Sequence, residues 1–225
     1  MLLLPRALYA PGRFGRGAKT GAAAPAPEDL DVARPRWGRG LIVAETRRLS
    51  IRRLTLADAA FLLRQVNEPS WLANIGDRGV RNLADAERYI QVRMLDPYAA
   101  HGFGMYLVER KPDGEPIGLC GLVKRDTLPH PDLGFSLLEE FHGSGYAFEA
   151  ATAVMDHAVQ LKLRRVLAIT TPANRRSGKL LEKLGFRVEG SVGLVPDDED
   201  LTLYAISLPD SSAPGRFRAR PSRRT

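Results

Sequence analysis

The sequence predicts a single α/β domain built on a mixed sheet with helices against it. Three observations predict it. Between residues 41 and 208, runs with the two-residue alternation of strands trade places with runs whose apolar residues recur at helical spacing. Two strand-like runs, GFGMYLVER and EPIGLCGLVKR, are joined by KPDG, where Asp113-Gly114 is a strong hairpin signal. The strands gather around two early and two late helices, the pattern of one α/β domain rather than of two domains.

The elements follow in order. LSIRRL (49–54) alternates as a strand, and LTLADAAFLLRQV opens a helix with Thr55 as its cap. NIGDRGV (74–80) is a loop with glycines at turn positions. NLADAERYIQVRML then places Leu83, Ala86, Tyr89, Ile90 and Met94 on one helical face. After the hairpin, DLGFSLLEE is a third strand run, and FHGSG turns into the helix YAFEAATAVMDHAVQLK. RRVLAITT is a short buried strand ended by Pro172, and NRRSGKLLEKL is a helix closed by Gly185. FRVEGSV and LTLYAISL are the last strands, separated by the acidic loop PDDED. No internal repeat is visible.

The chain has 225 residues and a net charge of +7, and the charge is unevenly placed. Residues 1–40 hold seven Lys/Arg and three Asp/Glu, residues 209–225 hold five and one, and the stretch between them holds 21 and 22. The basic character therefore belongs to the two ends. Both read as disordered extensions, Pro/Gly/Ala-rich at 1–40 and Arg-rich at 209–225, flanking a domain at 41–208. The stretch between them is near neutral and offers no basic surface of its own, so specific nucleic-acid binding is not expected. The opening MLLLPRALYAPGRFGRGAKT is not a secretory signal, because Pro5 and Arg6 cut the apolar run; its lack of acids before Glu28 resembles a transit peptide only weakly. The apolar runs fall short of the ~20 residues that cross a bilayer, so no membrane partner is expected.

Cys120 is the only cysteine, which excludes an internal disulfide and fits a reducing, cytoplasmic setting. Its surroundings, GLCGLV, read as buried strand rather than as a nucleophile's site. His101, His130, His142 and His157 lack metal-ligand spacing, and no metal is expected.

FHGSGYAFEAA (141–151) carries the most chemistry. Read structurally, Gly143 and Gly145 let the chain turn into a helix beginning near Tyr146. Read functionally, strand, glycine loop and helix start leave unpaired amides carrying about half a positive charge, and glycines let a phosphate come close. No G-K-[ST] follows, which excludes a nucleoside-triphosphate loop. The third glycine of a dinucleotide fingerprint is also missing.

DLGFSLLEEFHGSGYAFEAATAVMDHA followed by ITTPANRRSGKLLEKLGFRVEG resembles the core of the GNAT acetyltransferase superfamily, and more narrowly its ribosomal-protein N-terminal acetyltransferase branch. The likeness runs from about Thr46 to Leu208 and rests on the order and spacing of short motifs. It implies a mostly antiparallel central sheet in which two parallel strands, DLGFSLL and RRVLAIT, splay apart to take acetyl-CoA. The pyrophosphate would sit on His142, Gly143, Ser144, Gly145, Tyr146 and Ala147. His142 stands where the family has glutamine or arginine, leaving the contact to backbone amides. Edge amides of Phe135, Ser136 and Leu137 would pair with the pantetheine arm, and that of Leu137 would polarise the thioester carbonyl. Asn174 would contact the arm, cap a helix, or both.

The resemblance also implies direct attack by a neutral amine, without an acyl-enzyme. Many members protonate the leaving thiolate with a tyrosine where this chain has Leu181. Ser177, in the family's N-x-x-S variant, is the candidate here, with an ordinary early-helix serine as the alternative. Gly178 beside it would cost roughly 1 kcal/mol in a helix against alanine, and close cofactor approach is one reason for it. For the general base, Glu149 reads as a helix-dipole partner, while Asp132 or an acid of the loop 197–200 could face the acceptor. The expected activity is acetyl transfer from acetyl-CoA to a primary amine, on a protein N-terminus or a small molecule. A noncatalytic acetyl-CoA sensor and a nucleic-acid-associated protein acting through its tails are the alternatives, and a homodimer stays open.

Overall fold

The computed structural model describes residues 40–194, 200–209 and 217. Among the described residues eight strands form one sheet: β1 (Ile42–Glu45), β2 (Leu49–Arg53), β3 (Met105–Arg110), β4 (Glu115–Val123), β5 (Asp132–Leu137), β6 (Arg165–Thr170), β7 (Arg187–Val192) and β8 (Leu201–Ser207). Their order across the sheet is β1-β2-β3-β4-β5-β6-β8-β7. Neighbours are antiparallel except β5 and β6, which are parallel and share the single register pair Asp132↔Leu167. Beyond that rung the two strands part, and the splay implied by the resemblance is present.

The helices are α1 (Ala59–Asn67), α2 (Pro69–Asn74), α3 (Leu83–Ile90), α4 (Asp96–His101), α5 (Tyr146–Gln160) and α6 (Arg175–Leu184). A π-helical turn at Gln91–Leu95 joins α3 to α4. Every strand and helix the periodicity predicts is present, and three elements go beyond it. β1 is an edge strand whose residues are exposed or half-buried, so no core imprints an alternation on it. α2 is six residues long and buries only Trp71, too little for a helical stripe. α4 extends the predicted helix past Met94 and ends at Gly102, in the left-handed conformation.

Thr55 caps the first helical turn as expected, and the capping box is completed by Asp58. Its carboxylate accepts from the Thr55 amide at 2.7 Å and is held by Arg52 at 2.8 and 2.9 Å. Gly185 closes α6 with φ 97°, donating its amide to Glu182. Gly178 has a structural explanation rather than a cofactor-related one. A Cβ there would lie 2.7 Å from the Tyr204 hydroxyl, so the glycine lets β8 pack under α6.

Cys120 is fully buried on β4, and burial pushes its thiol up to about 12, consistent with an inert core residue. Residues 1–39 and most of 209–225 lie outside the described residues. Phe217 is described, and it departs from the expectation of a wholly separate tail: its ring is buried in the main core and its amide donates to Asp156 on α5.

His157 on α5 meets the Tyr106 hydroxyl at 3.2 Å. Burial holds its pKa below the ordinary histidine value, against an opposing hydrogen bond with Gln160. The fold therefore favours neutral imidazole. The stabilisation is whole above about pH 6.5, the unfolded value, and is lost as pH falls through the depressed folded one. Replacing His157 with Gln should flatten the decline in melting temperature between about pH 7 and 5. An unchanged slope would show that His157 does not drive it.

Candidate active site

A cavity of about 760 Å³ opens where β5 and β6 part, walled by α2, the loop 139–145 and the starts of α5 and α6. Ten of the sequence-predicted site residues line it: Phe135, Ser136, Leu137, His142, Gly143, Gly145, Tyr146, Ala147, Asn174 and Ser177. Ser144 does not. Its carbonyl turns away to accept from Arg48 Nη1 at 3.0 Å.

Gly143 and Gly145 have φ of 79° and 80°, a region that disfavours side chains, and Gly145 is the residue before the first turn of α5. That turn begins with amides lacking intrahelical partners, facing the cavity lined by Tyr146, Ala147 and Phe148. The start of α5 is held by Glu149. Its carboxylate accepts from Thr46 Oγ1 (2.6 Å), Arg48 Nε (2.6 Å) and the Arg48 amide (3.1 Å), while the Arg48 guanidinium lies 4.3 Å from the Tyr146 ring centre. Partial burial would raise the Glu149 carboxyl, but these hydrogen bonds and the Arg48 charge bring it below the usual range. Glu149 thus clamps α5 to the β1–β2 turn, agreeing with the helix-stabilising reading.

The ladder refines the expectation for the strand edge. The Leu138 amide donates to Ile117, and a Cβ on Gly118 would lie 2.5 Å from the Ser136 carbonyl, so residues 136 and 138 turn their backbone toward β4. Backbone polar groups alternate sides along a strand, leaving Phe135 and Leu137 to face the gap. The Ser136 amide is therefore not an open-edge donor. Its side chain is what reaches the cavity, with Oγ accepting from Gln65 Nε2 at 3.1 Å.

His142 Nε2 lies 2.9 Å from the Leu137 carbonyl, and its Nδ1 lies 3.2 Å from Arg176 Nη1. A carbonyl can only accept and a guanidinium can only donate, so the proton sits on Nε2. His142 thereby ties the end of β5 to a cation on α6. Arg176, Lys179 and Lys183 line the same cavity.

On α6, Asn174 is a cap: its Oδ1 accepts from the Ser177 amide at 3.0 Å, and its Nδ2 donates to Asn74 Oδ1 at 3.1 Å. Ser177 is largely buried yet lines the cavity, whereas Leu181 is part of the core. Asp132 does not line the cavity. It is buried against Arg125 at 2.7 and 3.1 Å, and burial, outweighing that partner, raises its carboxyl. The expectation that Asp132 faces an acceptor is corrected: it is one half of a buried pair at the rung where β5 and β6 part. Asp200 accepts from Ser191 Oγ at 3.4 Å, and residues 195–199 of the acidic loop lie outside the described residues. Among the described lining residues Glu139 is the one carboxylate.

Arg48, Asn74 and Arg176 were not singled out by sequence reasoning. Arg176 lay within NRRSG, where its charge was legible and its direction was not. The links from Arg48 to Glu149 and from Asn74 to Asn174 span about a hundred residues, with no local signal. Among the described residues, no group of three His, Cys, Asp or Glu could hold a metal ion, and no helix is long and apolar enough to cross a membrane.

Residues 48–187 match the family model described as acetyltransferase (GNAT) domain. A ribosomal protein uS5-alanine N-acetyltransferase of Escherichia coli is 34% identical over 131 residues, covering 55% of this chain and 67% of that protein. The crystal structure of an acetyltransferase from Agrobacterium tumefaciens is 27% identical with a TM-score of 0.60, covering 80% of this chain and 99% of the other. A Mycobacterium smegmatis RimJ in complex with CoA-disulfide shares the fold, with 24% identity and a TM-score of 0.60 over 71% of this chain and 81% of that one. Motif order, splayed strands and family match agree, and the chain belongs to the GNAT acetyltransferase family, as an acetyl-CoA-dependent acyltransferase.

Proposed function

We propose that the protein acetylates the α-amine of a protein N-terminus, with acetyl-CoA held in the cavity between β5 and α6. The observation that carries this reading is convergence: the loop and helix start at Gly143, Gly145, Tyr146 and Ala147, open-edge backbone at Phe135 and Leu137, and Ser177 all border one cavity. The pyrophosphate takes the α5 amides, with Arg176 nearby as a cation. The pantetheine arm runs along the β5 edge, and the Leu137 amide donates toward the thioester oxygen.

The amine nitrogen attacks the thioester carbonyl carbon, the C–S bond breaks, and the departing thiolate takes a proton from the Ser177 hydroxyl as water gives one back to it. The attacking nitrogen loses its own proton to water. An α-amine, which titrates at about 7.7–8.0 when unperturbed, supplies a useful neutral fraction unaided, whereas lysine at about 10.4 does not. With Glu149 clamped and Asp132 paired, this favours the α-amine over a lysine acceptor. The likeness to an enzyme named for the alanine of a ribosomal protein supports the same class.

Ser177→Ala is the test. With an amine acceptor that the wild type turns over, kcat and kcat/KM should fall together by roughly ten- to a hundredfold, with acetyl-CoA affinity nearly unchanged. Wild-type kcat in this variant would leave the leaving-group proton to water. No turnover by the wild type with any peptide or small amine would instead favour an acetyl-CoA sensor.

A further inference from the structure

The cavity has two walls that are far apart in sequence, α2 and the start of α6, and one hydrogen-bonded chain joins them. Asn74 Nδ2 donates to the Ser70 carbonyl at 2.8 Å, Asn174 Nδ2 donates to Asn74 Oδ1 at 3.1 Å, and the Ser177 amide donates to Asn174 Oδ1 at 3.0 Å. All four residues line the cavity. The polarity of this chain is not free. A backbone N–H at one end can only donate and a backbone C=O at the other can only accept, so both carboxamides have one orientation that satisfies every partner.

The chain is also firmly seated at both ends. Trp71, one turn before Asn74, is buried in the core and anchors α2 there. Glu68, just before α2, accepts from the Glu139 amide at 3.2 Å and so ties this wall to the end of β5. At the other end, Asn174 is the cap of α6, so it cannot swing away without uncapping the helix.

We infer that Asn74 is a positioning residue that bridges the two walls over the pantetheine arm and sets how fast acetyl-CoA and CoA leave. The inference rests on the reading that this cavity holds acetyl-CoA. An arm lying along the β5 edge passes between the walls that Asn74 and Asn174 connect. Its departure is eased when those walls part, and the bridge is a contact that parting must break. The bridge further presents Asn174, and through it the first turn carrying Ser177, in one fixed orientation toward the thioester. Asn74 needs no contact with the reacting atoms to do this.

The test is the release of radiolabelled acetyl-CoA in a chase with unlabelled ligand, in two backgrounds. Asn174→Asp keeps an oxygen to cap α6 but turns a second oxygen toward Asn74, removing the donor of the bridge. Asn74→Ala should speed release about three- to tenfold in the otherwise wild-type protein, the effect of one neutral hydrogen bond. In the Asn174→Asp background the same substitution should change release less than about twofold, because contacting residues share one interaction. Equal acceleration in both backgrounds would show a general loosening of α2 and overturn the bridge. So would no acceleration in the wild type. Wild-type protein that retains no acetyl-CoA would fail the cavity reading itself, and this inference with it.

Discussion

Replacing Gly145 with valine is expected to weaken acetyl-CoA binding at least about tenfold, a loss of roughly 1.4 kcal/mol. Gly145 has φ 80° immediately before the first turn of α5. A β-branched residue there faces about 1–2 kcal/mol of backbone strain, which it can relieve only by turning the following amides. If it does not relieve it, its side chain stands where a phosphate must approach those amides. Both outcomes damage the anion seat. Neighbouring side chains leave room for a Cβ, the nearest atom being Arg48 Nη2 at 3.5 Å, so the damage comes from conformation and access rather than from a core clash.

Gly114→Val is the matching control. Gly114 has φ 66° in the β3–β4 turn, outside the cavity lining, and shares the strain without sharing the site. Calorimetric affinities should separate the two variants while their melting temperatures fall together. Equal acetyl-CoA affinity in Gly145→Val and wild type would remove the phosphate seat from this loop.

The largest stability effect is expected at the pair of Arg125 and Asp132. Both side chains are buried, with two hydrogen bonds between them, at the rung where β5 and β6 part. Asp132→Ala would leave a guanidinium without its carboxylate in the interior, and such breaks cost about 3–5 kcal/mol. Replacing both residues together, as Arg125→Met with Asp132→Leu, should recover much of that loss because no charge is then stranded. Chemical denaturation of the three variants measures it. If Asp132→Ala were as stable as wild type, the pair would hold no structural charge.

The two predictions probe different kinds of information in the chain. The glycine loop was legible because its requirement is local. Residues without a Cβ are strongly favoured where φ is near 80°, and Gly143, Gly145 and the alanine-rich turn after them are adjacent in sequence. The cap at Asn174 and the stop at Gly185 were legible for the same reason, since a helix end is settled within about four residues. The hairpin at Asp113-Gly114 joined β3 and β4 as its turn residues require.

What the sequence by itself determined, then, is the order of elements, the glycine turn from strand to helix and the family. Each rests on backbone constraints satisfied by neighbours along the chain. Folding alone settled which side of β5 each amide faces, that Asp132 meets Arg125 rather than an acceptor, and that Glu149 holds Arg48. It also settled that Gly178 yields space to Tyr204 and that Asn74 reaches Asn174. These depend on strand register and on contacts between residues up to about a hundred positions apart. A one-residue change of register would turn every β5 amide to the other side without altering the hydrophobic content of any segment. Local periodicity reports which face of an element is buried, but not which distant residue covers it.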